Sequence, residues 1–291
     1  MTPIINLPNT LWDQPCSVAD QENALHALEQ GSVLFFPQLS FSIEESESRF
    51  LSPAIVAKSK NVSLDCSRGI LKGSSASEAE QQLLQSMMQR FATSTVALLH
   101  NLLPHYTAGL VQGRTSFRPV EIARRAASWR KDDTRLHVDS FPSSPVQGKR
   151  ILRVFSNVNP QGKSRSWRLG EPFENVARRY LPALPRPVWG SSQLLKLTGI
   201  TKSRRSAYDH FMLQLHDHMK ADMGYQSQVD QVAFDFPAGS TWMTFTDQAS
   251  HAAMAGQHAF EQTFYLPVAC MQEPSLSPLR VLERLTNRAL V

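Results

Sequence analysis

The stretch Gly148-Lys149-Arg150-Ile151-Leu152-Arg153-Val154-Phe155-Ser156-Asn157-Val158-Asn159-Pro160 does most to limit what this chain can become. It reads as a β-strand bounded by glycine and proline, and successive side chains of a strand point to opposite faces. Positions 152, 154, 156 and 158 are Leu, Val, Ser and Val, a face that packs. Positions 151, 153, 155, 157 and 159 mix apolar residues with Arg153 and Asn157, as a strand lining a polar cavity would. An arginine pointing into a cavity is costly unless it meets an anion. Arg165 and Trp167 likewise share a face. The competing arrangement leaves these arginines at the rim, paired with Glu171 or Glu174.

Other strand patterns begin at Ala108 and return at Gln231–Phe236, Ser240–Thr246 and Ala259–Pro267, with a helical block from Glu174 to about Gln226 between them. Upstream, Val18–Gln30 reads as an amphipathic helix ending at Gly31, followed by a short buried strand stopped at Pro37 and a short helix from Ser42 to Phe50. The longest helix is expected from Ser77 to Leu103. Ser77 and Glu80 fit a capping box there, and Leu84, Met87, Phe91 and Leu98 mark one apolar face that braces a sheet. The tail from Pro278 to Val291 is amphipathic, with Arg280, Arg284 and Arg288 at helical spacing. It can dock on the body of the protein or rest on an anionic lipid surface. These patterns predict one α+β domain. It comprises a helical region over 1–107, β-structure over about 108–170 and 228–270, a helical insertion over about 171–227 and a C-terminal helix over 278–291.

Asp132-Asp133-Thr134-Arg135-Leu136-His137-Val138-Asp139-Ser140-Phe141-Pro142 also reads as a strand, which puts His137 and Asp139 on one face. Together they make two thirds of a facial site of two histidines and one carboxylate around Fe(II). The best third ligand is His251, which follows a strand rich in Trp, Thr and Phe and lies 112 positions beyond Asp139. Such a set holds the metal on one face and leaves the other open for a 2-oxo acid and dioxygen. A hydrogen-bonded surface pair plus a loop histidine fits the same spacing. His216-Asp217-His218 is a weaker metal motif, because residues two apart on a helix do not face each other.

Hydrophobic residues make up 42% of the 291 and charged residues 19%, enough apolar material for a large core. Between Lys149 and Arg205 there are thirteen Lys/Arg against only Glu171 and Glu174, so positive potential gathers over one region and favours anionic partners. Cys16, Cys66 and Cys270 are scattered and odd in number, as expected in a reducing compartment. No basic leader with an apolar core and no long apolar run stands out, so a cytoplasmic protein, or one lying on a membrane without crossing it, is expected.

Helices first, then strands bearing His-x-Asp, then a later strand with His resemble the double-stranded β-helix (jelly roll) of Fe(II)/2-oxoglutarate oxygenases. The phrases Ser128-Trp129-Arg130-Lys131-Asp132-Asp133, Arg135-Leu136-His137-Val138-Asp139 and Arg165-Ser166-Trp167-Arg168 are similar to the Kdo (3-deoxy-D-manno-oct-2-ulosonic acid) 3-hydroxylase family. So are the strand at 148–160, Tyr208-Asp209-His210-Phe211-Met212-Leu213 and Gly256-Gln257-His258-Ala259-Phe260-Glu261-Gln262-Thr263-Phe264. The resemblance implies hydroxylation at C3 of Kdo in Kdo-lipid A at the inner face of the cytoplasmic membrane. Fe(II), 2-oxoglutarate and O2 would serve as cofactor and cosubstrates. It assigns iron to His137, Asp139 and His251, and the acidic ligands to Arg118, Arg153, Arg165 and Trp167. Many members of the wider superfamily place an Arg about ten positions after the distal His, whereas Phe260-Glu261-Gln262-Thr263 has none. Arg153 is the expected anchor for 2-oxoglutarate, with Asn157, Gln262 or Thr263 assisting. Nucleic acid is not an expected partner. A nucleic-acid oxygenase of the same fold and a non-catalytic barrel binding a metal or an acidic sugar are the rival readings.

Overall fold

In the computed structural model, which describes residues 2–57, 59–123, 127–185, 193 and 196–291, two β-sheets meet across a layer of aromatic side chains. The larger sheet uses β1 (Ile4–Asn6), β2 (Val33–Phe36), β3 (Val62–Asp65), β4 (Ile70–Lys72), β5 (Val111–Arg118), β6 (Arg150–Asn157), β9 (Thr241–Phe245) and β11 (Ala259–Leu266). Its order is β1-β2-β9-β6-β11-β5-β3-β4, antiparallel throughout except for the parallel β1–β2 pair. The smaller sheet is β10-β7-β8, built from β7 (Arg165–Leu169), β8 (Val232–Phe236) and β10 (His251–Ala255), also antiparallel. This is the jelly-roll arrangement expected. Between the sheets Trp242 stacks on Phe236 and Phe155 at 4.0 and 5.4 Å, and Trp167 meets Phe155 edge-on at 5.0 Å.

The alternation of β6 sorts its side chains as the sequence requires. Leu152 and Val154 enter the core on the helix side, and Arg153 and Phe155 turn to the cavity between the sheets. Two helices cover the outer face: α1 (Val18–Glu29), capped by the Ser17 hydroxyl, and α2 (Glu78–Leu102), whose Ser77/Glu80 capping box is present. The α2 stripe of Leu84, Met87, Met88 and Phe91 packs on Val62, Phe117 and Phe260 of the sheet. A long helix cannot hold its shape in water on propensity alone; burying this stripe supplies the stability.

Three stretches differ from expectation. Besides the expected β2, the region expected to be helical contributes three strands, β1, β3 and β4, each too short to show a period of its own. Residues 132–142 are not a strand: after a 3₁₀ turn at Trp129–Lys131, only His137 pairs, in a single bridge to His251. The physical reason is that side chains take the backbone groups a strand would use. The Gln226 amide accepts from Leu136 N–H at 2.8 Å and donates to Leu136 O at 3.0 Å, and Asp132 accepts from Thr134 N–H. Finally, His251 opens a strand of its own, β10, hydrogen-bonded to β7.

The helical insertion contains α3 (Phe173–Tyr180), α4 (Ala207–Ala221) and α5 (Met223–Gln228); its residues 186–192, 194 and 195 lie outside the described ones. The tail forms α6 (Pro278–Thr286), and Leu279, Val281 and Leu282 bury its apolar face in the main core. Arg284 pairs with Glu174, so the tail docks on the body.

Behind β9 lies a buried ion pair. Arg150 and Asp247 are 0% and 1% exposed and meet at 2.8 Å, with Gln248 and the Phe245 ring completing the guanidinium's surroundings. Removing one partner of a buried pair strands the other in a dry site. Arg150→Met should therefore lower the unfolding free energy by about 3–5 kcal/mol, whereas Arg150→Met with Asp247→Leu should recover most of it; denaturant titration of both variants measures the difference.

Candidate active site

The side chains of His137, Asp139 and His251 converge: one ligand atom from each lies within 4.8 Å of the others, and all three residues are buried. Backbone hydrogen bonds bring them together. His137 N–H donates to His251 O at 3.0 Å, His251 N–H returns a bond to His137 O at 2.9 Å, and Asp139 N–H donates to Thr246 O at 2.8 Å. Nδ1 of His137 lies 2.7 Å from Arg135 O, and Nδ1 of His251 lies 2.8 Å from Ala249 O. A carbonyl only accepts, so each Nδ1 carries the proton and each Nε2 presents a lone pair. Burial pushes both imidazoles below their ordinary pKa, which keeps them neutral. Burial works to raise the Asp139 carboxyl, but the Arg153 guanidinium outweighs it and holds the group well below the usual carboxylate range. Two neutral nitrogens and one carboxylate are the donor set for a first-row divalent ion with open positions, so these residues fit ferrous iron.

The trio opens into a cavity of about 350 Å³ whose lining holds seven Lys/Arg against three carboxylates. Arg118, at the end of β5, grips Glu261 through Nε and Nη2 at 2.9 and 2.7 Å. Arg153 reaches Asp139 at 3.1 Å and Glu261 at 3.4 Å. Among the described residues, Arg165, on β7, has no carboxylate partner: one Nη donates to Gly256 O at 3.3 Å, and its buried Nε donates to none of them. Burial and the neighbouring Arg118 pull its pKa down to about 10. The Trp167 indole N–H is likewise buried without an acceptor, and its ring stacks on His251 at 5.1 Å. Orphaned donors cost stability in an empty site and are satisfied by an anionic ligand.

Of the assisting residues expected, Asn157 sits away from the cavity. It lies where β6 ends, and its amide donates to Lys163 O and Phe236 O, tying the following loop to β8. Gln262 points to the other face of β11 and is locked by Thr115 and Gly113. Thr263 shares the face of Glu261 but is not part of the lining. Glu171 and Glu174 pair with Arg179, Arg178 and Arg284, not with the cavity arginines. Among the lining residues that the sequence reading did not assign to the site are Glu261, His216 and Lys220. His216 and Lys220 stand four apart on α4, the spacing of one helix face, which was the available signal. His216 meets the His137 ring edge-on at 5.3 Å, whereas His218 turns back to Gln214 O.

The family model described as 3-deoxy-D-manno-oct-2-ulosonic acid (Kdo) hydroxylase matches residues 11–289. No curated protein matches the chain. Among solved structures, the Kdo hydroxylase KdoO, a non-heme Fe(II) alpha-ketoglutarate dependent dioxygenase, was crystallised with alpha-ketoglutarate and Fe(III). It is 52% identical over 100% of this chain and 98% of that one, with a TM-score of 0.97. Its complexes with cobalt(II) and with succinate and Fe(III) have the same identity and coverage, with TM-scores of 0.98 and 0.97. With a buried trio of metal-ligand type at the mouth of a basic jelly-roll cavity and a family match over nearly its whole length, this chain belongs to the Kdo hydroxylase family of non-heme Fe(II)/2-oxoglutarate dioxygenases.

Proposed function

We propose that this chain hydroxylates C3 of Kdo within Kdo-lipid A, converting it to D-glycero-D-talo-oct-2-ulosonic acid while 2-oxoglutarate and O2 become succinate and CO2. The carrying observation is the buried His137, Asp139 and His251 trio facing a cavity with unspent cationic donors. His137 and His251 would hold iron through Nε2 and Asp139 through a carboxylate oxygen; iron bound there supplies the activation of dioxygen.

The chain's own residues supply binding and orientation. Arg165, rather than Arg153, suits the free carboxylate of 2-oxoglutarate. Arg153 has an open Nε, but its guanidinium already serves Asp139 and Glu261, whereas Arg165 is 3% exposed and has no acidic partner. The Trp167 N–H stands ready to share that carboxylate, and a guanidinium fork binds a carboxylate with two parallel bonds. Trp167 also fixes the plane of His251 by stacking on it. Glu261 holds Arg118 in place.

The substrate is a lipid, yet no helix among the described residues is long and apolar enough to cross a membrane. We assign the enzyme a peripheral position at the cytoplasmic face. Because the apolar side of α6 is buried, contact there would rest on Arg280 and Arg284, both about half exposed, and salt would weaken it. Three free cysteines agree with a reducing compartment.

Incubation of the protein with Kdo-lipid A, Fe(II), 2-oxoglutarate and air should add one oxygen to the sugar, seen by mass spectrometry; product of unchanged mass would refute the reading. Asp139→Ala should abolish both metal binding and product formation while the unfolding transition persists. Arg165→Met should raise the KM for 2-oxoglutarate about 10- to 100-fold, the worth of a charged hydrogen bond. Gly256→Ala should act on the same constant more mildly. Gly256 sits at φ +121°, and a Cβ there would lie 2.9 Å from Arg165 Cα and push that residue out of line.

A further inference from the structure

Ion pairing divides the cations of the cavity unevenly. Arg118 and Arg153 are spent on Glu261 and Asp139, Lys60 on Asp133, and Arg130 on Asp217 outside the cavity. Among the described residues, two lining cations are deeply buried and have no carboxylate partner, Arg165 and Lys220, at 3% and 2% exposure. They approach from different walls, Arg165 from β7 and Lys220 from the last turn of α4. Lys220 Nζ makes one hydrogen bond, to Arg130 O at 3.2 Å. An ammonium has three donors, so two remain. Burial pulls its pKa down, and the nearby carboxylates of Asp133 and Asp139 work against that. His216, one turn earlier on the same face, touches the His137 ring, which places this face of α4 beside the proposed metal ligands.

The proposed reaction brings two carboxylates to this cavity, and the structure offers two buried cations without an acid. Arg165 is matched to 2-oxoglutarate above. We infer that Lys220 binds the carboxylate of the Kdo unit being hydroxylated and so holds its C3 against the metal face. The chemistry of the sugar supports the match: the carboxylate is C1, and C3 is two bonds away, so a cation beside the metal ligands that grips C1 presents C3 there. Lys220 would thus select an acidic 2-keto sugar over a neutral one. This rests on the reading of the site as a Kdo hydroxylase.

The test compares wild type, Lys220→Met and Lys220→Gln on Kdo-lipid A and on an analogue whose target sugar carries an amide in place of the carboxylate. On the acid, Lys220→Met should raise the substrate KM about 10- to 100-fold with the KM for 2-oxoglutarate unchanged. On the amide, wild type and variant should converge. Lys220→Gln, which keeps a donor for Arg130 O, should show the same dependence on the carboxylate, and it carries the comparison if Lys220→Met does not fold. An equal penalty on acid and amide would show that Lys220 only tethers the turn at Arg130, and a raised KM for 2-oxoglutarate alone would give the residue to the cosubstrate; either overturns the inference. Wild type that adds no oxygen to Kdo-lipid A overturns the parent reading and this one together, whereas active wild type with an unaffected variant overturns this one alone.

Discussion

The two backbone hydrogen bonds between His137 and His251 are what the chemistry of this molecule depends on. They join segments far apart in the chain and fix both Cα–Cβ directions before any rotamer is chosen. Each imidazole then needs only one further bond, to a carbonyl two residues earlier, to set its plane and tautomer. Asp139 is placed in the same way, by its own N–H on Thr246 O. Because β10 is paired to β7, this geometry is continuous with the smaller sheet, and Trp167 of β7 lies flat on the His251 ring. The His137, Asp139 and His251 trio, Arg165 and the aromatic layer thus share one rigid support, as precise chemistry requires.

The cavity would be unstable if its charges were simply collected there. Burying guanidinium and ammonium groups is expensive, and like charges close together raise the cost. Glu261, Asp139 and Asp133 offset most of it. β11 brings Glu261 into the cavity, and Arg118, Arg153, Arg165 and Lys220 come to it from β5, β6, β7 and α4. A carboxylate there divides the cations into those held still and those left for ligands. The cost that remains, at Arg165, Trp167 and Lys220, is the kind a binding site retains at the expense of stability.

Much of this was legible in the sequence, for identifiable reasons. The alternation of residues 151–159 predicted which face of β6 packs and which meets the cavity, because a period of two leaves no freedom once one face is buried. The capping box of Ser77 and Glu80 marked the start of α2 because capping is local. Spacing and resemblance together selected His137, Asp139 and His251, which the fold brings together. Failures came where long-range partners override local pattern. Asn157 had the right parity for the cavity but stands at the strand end, where its amide serves a loop. Gln262 was named for its place about ten positions after the distal histidine, without regard to parity, and the strand turns it to the face of Thr115. The arginine-bearing tail showed an apolar stripe, and nothing in a stripe says whether protein or lipid covers it. His216 and Lys220 lay on a helix that pattern alone could not orient toward the cavity.

The Gln226 amide does the work of a strand in a small space. It grips both backbone groups of Leu136, and also Met219 O, and so does for one residue what an adjacent strand would do for several. A neighbouring strand would bring a ladder, a twist and a row of side chains to that flank. A single primary amide satisfies the same groups in the volume of one side chain. The residue next to His137 is thereby anchored with little bulk beside the cavity.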